Sequence, residues 1–303
     1  MCYRYTIGHH VIYFESMYTF GQVLETNYLM CYSHAHRLKW GGMNKIKISL
    51  LHLAPITGDL EYNKILLMQS LELCAQIKSD WVITPELWIC GYSFERVIGK
   101  DWIASQPDPW VTDLCSNMPA WNFNLFLSMP EKDTSTNLLH NTVFVIDRTG
   151  QIIGKYQKIK VLPQSEGWSS PGTEVKSILV DNTLTGILIC ADAYRSQISD
   201  QYKQQKVKLL ICPSAWGPGD CAPNGEWEQR SGELHVPLIV CNRTGKDLNV
   251  VDWTGSESIV AANGNRVLSA SPENSTILTF ELDIESGKVV SEQFHQIPIE
   301  VTL

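Results

Sequence analysis

The chain has no block of lysine or arginine, no Cys-x-x-Cys pair, no apolar run of membrane-spanning length and a thin supply of charge. Each shortage closes off a class of function. Its 24 basic residues are scattered against 32 acidic ones, giving a net charge of −8. A surface that tracks nucleic-acid phosphates needs clustered cations, so nucleic acid is not expected as a partner. Nor is a membrane, because nothing approaches the roughly 18 consecutive apolar residues of a spanning helix. Nine cysteines at positions 2, 31, 74, 90, 115, 190, 212, 221 and 241 form no framework. An odd, scattered set fits reduced thiols, and the opening residues lack the charged-then-apolar order of a secretory signal. The protein is expected to be cytoplasmic. Charged residues at 18% fall below the usual share of roughly 25%, which points to thick layers or subunit contacts covering much of the surface. There is no His-Glu-x-x-His, cysteine quartet, Gly-x-Gly-x-x-Gly, Walker loop or Gly-x-Ser-x-Gly. No metal and no cofactor are expected. That set fits a cofactor-free hydrolase, and it fits a binding module too.

What is present divides at residue 42. Residues 1–42 are crowded with Tyr, His, Met and Cys and keep no period of 2 or 3.6. Gly41-Gly42-Met43-Asn44 then introduces Lys45-Ile-Lys-Ile-Ser-Leu-Leu-His-Leu53, a strand start. The expectation is an atypical, poorly ordered leader upstream of a true start at Met43; an extension used in oligomer contacts is the competing reading. Over 43–303, strand-like and helix-like segments alternate within one domain. Asp59 is placed to cap a helix running to about Lys78, with apolar residues at Leu60, Leu67, Leu71 and Cys74. Strands are expected at 81–84, 125–129, 142–146, 151–155, 186–189, 209–212, 238–241, 258–260 and 277–282. Helices are expected at 196–206 and 226–235. Asp147-Arg-Thr-Gly150 reads as a hairpin turn.

Three places could carry chemistry. Glu86, in Pro85-Glu86-Leu87, follows an apolar strand, where α/β folds hold reactive groups; an isolated Glu is more often a solvated loop acid. Lys158, in Lys155-Tyr-Gln-Lys158-Ile-Lys160, could hold an oxyanion or tune a thiol, although spacing alone favours a solvated strand face. Cys190 ends the run Gly186-Ile-Leu-Ile189 before a helix, a strand-to-turn placement that lifts a side chain clear of a sheet. A nearby helix N-terminus would lower its pKa. Cys212 and Cys241 also end apolar strands, and most such cysteines are small core residues. Pattern alone does not choose among the three thiols.

Taken together, Pro85-Glu86-Leu87, Tyr156-Gln-Lys158 and Ile187-Leu-Ile-Cys190-Ala-Asp192 resemble the ordered Glu, Lys and Cys motifs of the nitrilase, or carbon–nitrogen hydrolase, superfamily. Pro85-Glu-Leu-Trp-Ile-Cys-Gly-Tyr92 is similar to its amidase-like branch. Glu166 ahead of Pro171-Gly172 resembles a second family acid. Leu210-Ile-Cys-Pro-Ser-Ala-Trp216, the set Trp227, Arg230 and Glu233, and Cys241-Asn-Arg-Thr-Gly245 resemble the segments that follow the nucleophile. The resemblance covers about Met43 to Leu282 and favours Cys190 over Cys212 and Cys241. It implies an α/β fold, an αββα four-layer sandwich of two mostly six-stranded sheets flanked by helices, commonly paired into homodimers or larger homo-oligomers. Residues 43–303 would then be a carbon–nitrogen hydrolase domain.

The implied activity is hydrolysis of a non-peptide C–N bond in a small amide through a cysteine thioester. Glu86 would be the base, Lys158 and the Ala191 backbone N–H the oxyanion donors, and Glu166 an assisting acid. Tyr92, Trp216 and Trp168 would line the substrate pocket, and water is the second reactant. An N-carbamoyl compound or a nitrile are alternative substrates, and a catalytically silent dimeric scaffold is the alternative outside enzymes. Ala191-Asp192 departs from the Trp-Glu that tends to follow the cysteine of true nitrilases, which weakens the nitrile reading.

Overall fold

A computed structural model of the chain describes residues 4–7, 10–13, 44–248 and 251–302. The chain falls into two units, Met1–Gly42 and Met43–Leu303. In the first, β1 (Arg4–Ile7) pairs antiparallel with β2 (His10–Tyr13), Arg4 in register with Tyr13. The remainder of the expected leader, with the expected start at Met43, lies outside the described residues.

The second unit opens with β3 (Lys45–His52), α1 (Leu60–Gln76), β4 (Trp81–Ile83), α2 (Glu95–Ile98) and α3 (Pro109–Trp121). Then come β5 (Asn124–Lys132), β6 (Leu139–Ile146), β7 (Ile152–Gln157), α4 (Pro163–Glu166), β8 (Ile178–Val180) and β9 (Thr183–Ile187). A single 3-10 turn, Cys190–Tyr194, leads into α5 (Ser196–Gln205), β10 (Leu209–Pro213), α6 (Glu226–Leu234) and β11 (Leu238–Cys241). The tail holds β12 (Lys246–Asp247), β13 (Val251–Asp252), β14 (Ser258–Ala262), β15 (Asn265–Ala270), β16 (Thr276–Asp283), β17 (Lys288–Val289) and β18 (His295–Pro298).

Two sheets result. One has six strands in the order β15-β14-β11-β10-β9-β8, as expected. The other has eight, because both β17 and β18 pair with β16 beyond the core order β16-β3-β4-β5-β6-β7. Side-chain alternation sorts the eight-stranded sheet onto two cores. Ile48, Leu50, Trp81, Ile83, Phe126, Val143 and Val145 pack against the six-stranded sheet. Their neighbours Leu51, Val82, Leu125, Leu127, Phe144 and Ile146 pack outward against Leu67 and Leu71 of α1 and Leu114 and Met118 of α3. On the far side α5 covers β9: the Tyr202 hydroxyl donates to Ile187 O at 2.7 Å and accepts from Ile187 N at 2.9 Å. Gly186 permits that approach, since a Cβ there would lie 3.1 Å from the Tyr202 ring. Helix, sheet, sheet, helix is the four-layer order.

Local chemistry sets the boundaries. The Asp59 carboxylate accepts from Tyr62 N at 3.0 Å and starts α1, as its cap position predicts. The β6–β7 turn closes on Gly150, whose φ of +85° suits glycine. The run expected as a strand over 186–189 leaves the ladder after Ile187, because the Asp192 side chain takes the Ile189 N–H at 3.0 Å. That early exit is what frees Cys190 from the sheet. Among the described residues no helix is long and apolar enough to cross a membrane.

Candidate active site

The residues that meet in the site come off the carboxyl ends of strands in both sheets: Glu86 after β4, Lys158 after β7, Cys190 after β9 and Ala215 after β10. Strand ends leave backbone groups unpaired, and here side chains bind them. Thr84 Oγ1 donates to Phe126 O at 3.1 Å and accepts from Ser128 N at 2.9 Å, fixing the loop that presents Glu86.

Glu86, Lys158 and Glu166 are wholly buried. Lys158 Nζ stands 2.6 Å from Glu86 Oε1 and 2.7 Å from Glu166 Oε1. An ammonium has three hydrogens, and these two contacts leave one to aim elsewhere. Glu86 Oε1 also accepts from Asn141 Nδ2 at 2.8 Å, and Oε2 from the Ala215 N–H at 2.9 Å. Asn141 Nδ2 reaches Glu166 Oε1 at 3.1 Å, while Glu166 Oε2 accepts from Leu162 N at 3.0 Å. Both carboxylates are thus held by donors on several sides, the condition for keeping buried charge.

Cys190 opens the 3-10 turn with φ +66° and is 4% exposed. Its thiol faces the Ala215 carbonyl at 3.8 Å, and the Glu86 carboxylate and the Lys158 ammonium both act on it. The Asp192 carboxylate anchors this turn. It accepts from Ile189 N, from the Tyr156 hydroxyl at 2.9 Å and from Lys160 N at 2.6 Å, tying the turn to the segment that bears Lys158.

The electrostatics correct one expectation. Burial pushes the Cys190 thiol well above its ordinary range, and the Glu86 carboxylate pushes it further; Lys158 opposes both and does not win. The turn's N-terminus therefore does not yield a low-pKa thiol, and the resting sulfur keeps its proton. Burial also raises the Glu86 carboxyl, against the opposing pull of Lys158. For Lys158, burial works to lower the pKa, but Glu86, the Cys190 sulfur and Glu166 outweigh it and hold the amine charged. A base of raised pKa beside a protonated thiol is suited to take that proton during reaction.

Cys190 opens onto a cavity of about 270 Å³. Of the residues assigned to a pocket from sequence, Tyr92 and Trp216 line it, and so does Ala191, the expected oxyanion donor. Trp168 does not: its ring packs edge-on against Phe94 at 5.0 Å, in the core beneath the eight-stranded sheet. An aromatic side chain in a loop beside Glu166 serves core and pocket equally well on paper, so sequence could not separate them. Sequence reasoning missed Asn141, Asp192, Tyr194 and Trp253. An acid in the first turn after a nucleophile elbow could have marked Asp192; nothing marks Asn141. Among the described residues no group of three or more His, Cys, Asp or Glu is placed to hold a metal ion.

A family model for carbon–nitrogen hydrolases matches residues 47–290. The chain is 23% identical to the "Hydrolase in agr operon" of Staphylococcus aureus, over 84% of this chain and 96% of that protein. It is also 23% identical to an omega-amidase of Saccharomyces cerevisiae, over 83% of this chain and 90% of the relative. Among solved structures it superposes, with a TM-score of 0.70 and 18% identity, on a mutant amidase from Nesterenkonia sp. AN1 bearing the acetamide moiety of fluoroacetamide at its active-site cysteine; 80% of this chain and 91% of that one are covered.

Proposed function

The chain belongs to the carbon–nitrogen hydrolase family, and from that premise we propose that it hydrolyses a small amide through a thioester on Cys190, with Glu86 and Lys158 completing the catalytic set. The observation that carries this reading is Lys158 Nζ held at 2.6 and 2.7 Å between two wholly buried carboxylates, beside a thiol that opens onto a cavity. A folded core has no use for such a cluster, since well-packed apolar residues would stabilise the same space as well or better.

Glu86 removes the Cys190 proton as the sulfur attacks the amide carbonyl carbon and the C–S bond forms. The transfer is internal to the cluster. Two carboxylates, one ammonium and a neutral thiol carry a net −1; one carboxylate, a carboxylic acid, one ammonium and a thiolate also carry −1. The step therefore moves charge without creating it, which matters where both carboxylates and the ammonium are buried. The unused hydrogen of Lys158 and the Ala191 N–H, free at the start of its turn, hold the developing oxyanion. Glu86 then protonates the departing amine as the C–N bond breaks. Water attacks the thioester, giving its proton to Glu86, and the acid leaves as the thiol is restored. Glu166 holds Lys158 in place throughout.

The test is intact-mass detection of the acyl-thioester after exposure to a panel of small amides, with Cys190→Ala alongside. An adduct on the wild-type protein alone supports the reading. Unchanged turnover in Cys190→Ala would remove Cys190 from the mechanism. An inert wild-type thiol across the panel would favour a silent scaffold.

A further inference from the structure

The wall of the cavity differs in chemistry from its floor. Among the described residues, no Lys, Arg, His, Asp or Glu lines it. Tyr194, Trp216, Val251 and Trp253 are among the residues that line it, and the Tyr92 and Ser165 hydroxyls, 3.1 Å apart, already bond each other. Two cations lie outside the lining, and both face carboxylates. Lys158 is bound to Glu86 and Glu166 beneath the sulfur, and its remaining hydrogen serves the reacting carbonyl. Arg243 stands behind the wall, with its guanidinium 5.2 Å from the Trp253 ring centroid. It is wholly buried and its Nη2 lies 2.6 Å from Asp247 Oδ1. Charges of both signs flank the lining, with Arg195 exposed beside Tyr194. Asp220 is exposed beside the lining Cys221, and Glu226 lies near enough to act on the Tyr194 hydroxyl.

We infer that the acyl part of the substrate is neutral and largely apolar, and that amides carrying a second, ionised carboxylate are excluded. This rests on the amide-hydrolase reading above. A carboxylate entering the cavity would shed water against aromatic faces with no cation in the lining to meet it. An apolar acyl group loses only unfavourable hydration on the same path. Size agrees: at roughly 30 Å³ of liquid volume per water, the cavity matches about nine waters, room for a short aliphatic or single-ring acyl group.

Levulinamide and succinamate separate the two classes, because they share their chain and differ in a methyl ketone against a carboxylate. The purified full chain is given each amide, and both kcat/KM and the mass of the acyl-enzyme are read. The expected result is a preference of at least about a hundredfold for levulinamide, with acylation by it alone at matched concentration. Across acetamide, butanamide and hexanamide, kcat/KM rises about threefold to fourfold per methylene until the cavity is full. Equal or better turnover of succinamate overturns the inference while leaving the hydrolase reading intact. Failure of every amide to acylate Cys190 overturns the hydrolase reading itself, and this inference with it.

Discussion

Three neighbouring parallel strands, β9, β10 and β11, each carry a cysteine at or just past the carboxyl end, yet the three surroundings share little. Cys241 is wedged between the sheets, its sulfur 3.1 Å from the Ile83 carbonyl and 3.5 Å from that of Leu51. Cys212 sits inside the ladder with its sulfur 3.4 Å from Ser214 Oγ. Cys190 has left the ladder and faces open space. Burial raises the thiol in all three places, to about 12 at Cys212 and well above the ordinary range at Cys190 and Cys241. Acidity therefore does not separate the proposed nucleophile from the other two thiols; a carboxylate acting on it and open space beside it do.

The hardest test of that contrast is to delete each thiol in turn. Cys190→Ala should lower turnover by about 10⁶, whereas Cys212→Ala and Cys241→Ala keep kcat within about tenfold, as ammonia release will show. A large loss at Cys212 or Cys241 with the fold intact would break the comparison. Lys158→Met comes next: kcat should fall by about 10²–10³ as an oxyanion donor is lost. Its melting midpoint should fall too, because Glu86 and Glu166 are left as unpaired buried acids. A pH profile sharpens the same point. Glu86 must be ionised to act and its pKa is raised, so kcat/KM should be lost as pH falls through a midpoint above the ordinary glutamate value of about 4.3. The smallest effect is structural: Cys241→Ala should cost about 1–2 kcal/mol in denaturant unfolding without touching kcat.

Much of this was legible in the sequence, for identifiable reasons. The apolar runs at 45–53 and 81–84 mark strands, and the structure buries both of their faces, Ile48, Leu50 and Ile83 in one core and Leu51 and Val82 in the other. The Asp59 cap and the Gly150 turn are local rules acting over a few residues. The six-stranded sheet was expected; the two additional edge strands of the other are short, mostly polar segments near the chain's end, with no period to read. Within the site, Glu86, Lys158 and Cys190 stood out through their ordered motifs, and the structure brings them together with Glu166. Asn141 could not stand out: its value lies in reaching two carboxylates that are 55 and 25 residues away in sequence. The Arg243–Asp247 pair behind Trp253 was equally silent, since a charge and its partner four residues on usually sit in solvent.

The backbone at Cys190 has a consequence for heat. A left-handed φ on a residue with a Cβ costs about 1–3 kcal/mol and persists only while its surroundings enforce it. Here the enforcement comes largely from one side chain, Asp192, bonded to Ile189, Tyr156 and Lys160. Apolar packing adds to that hold, since Cys190 and Ala193 belong to the core between the sheets. In Asp192→Ala that hold is weakened, so loss of turnover on heating should precede unfolding of the sheets, as residual activity compared with circular dichroism will show.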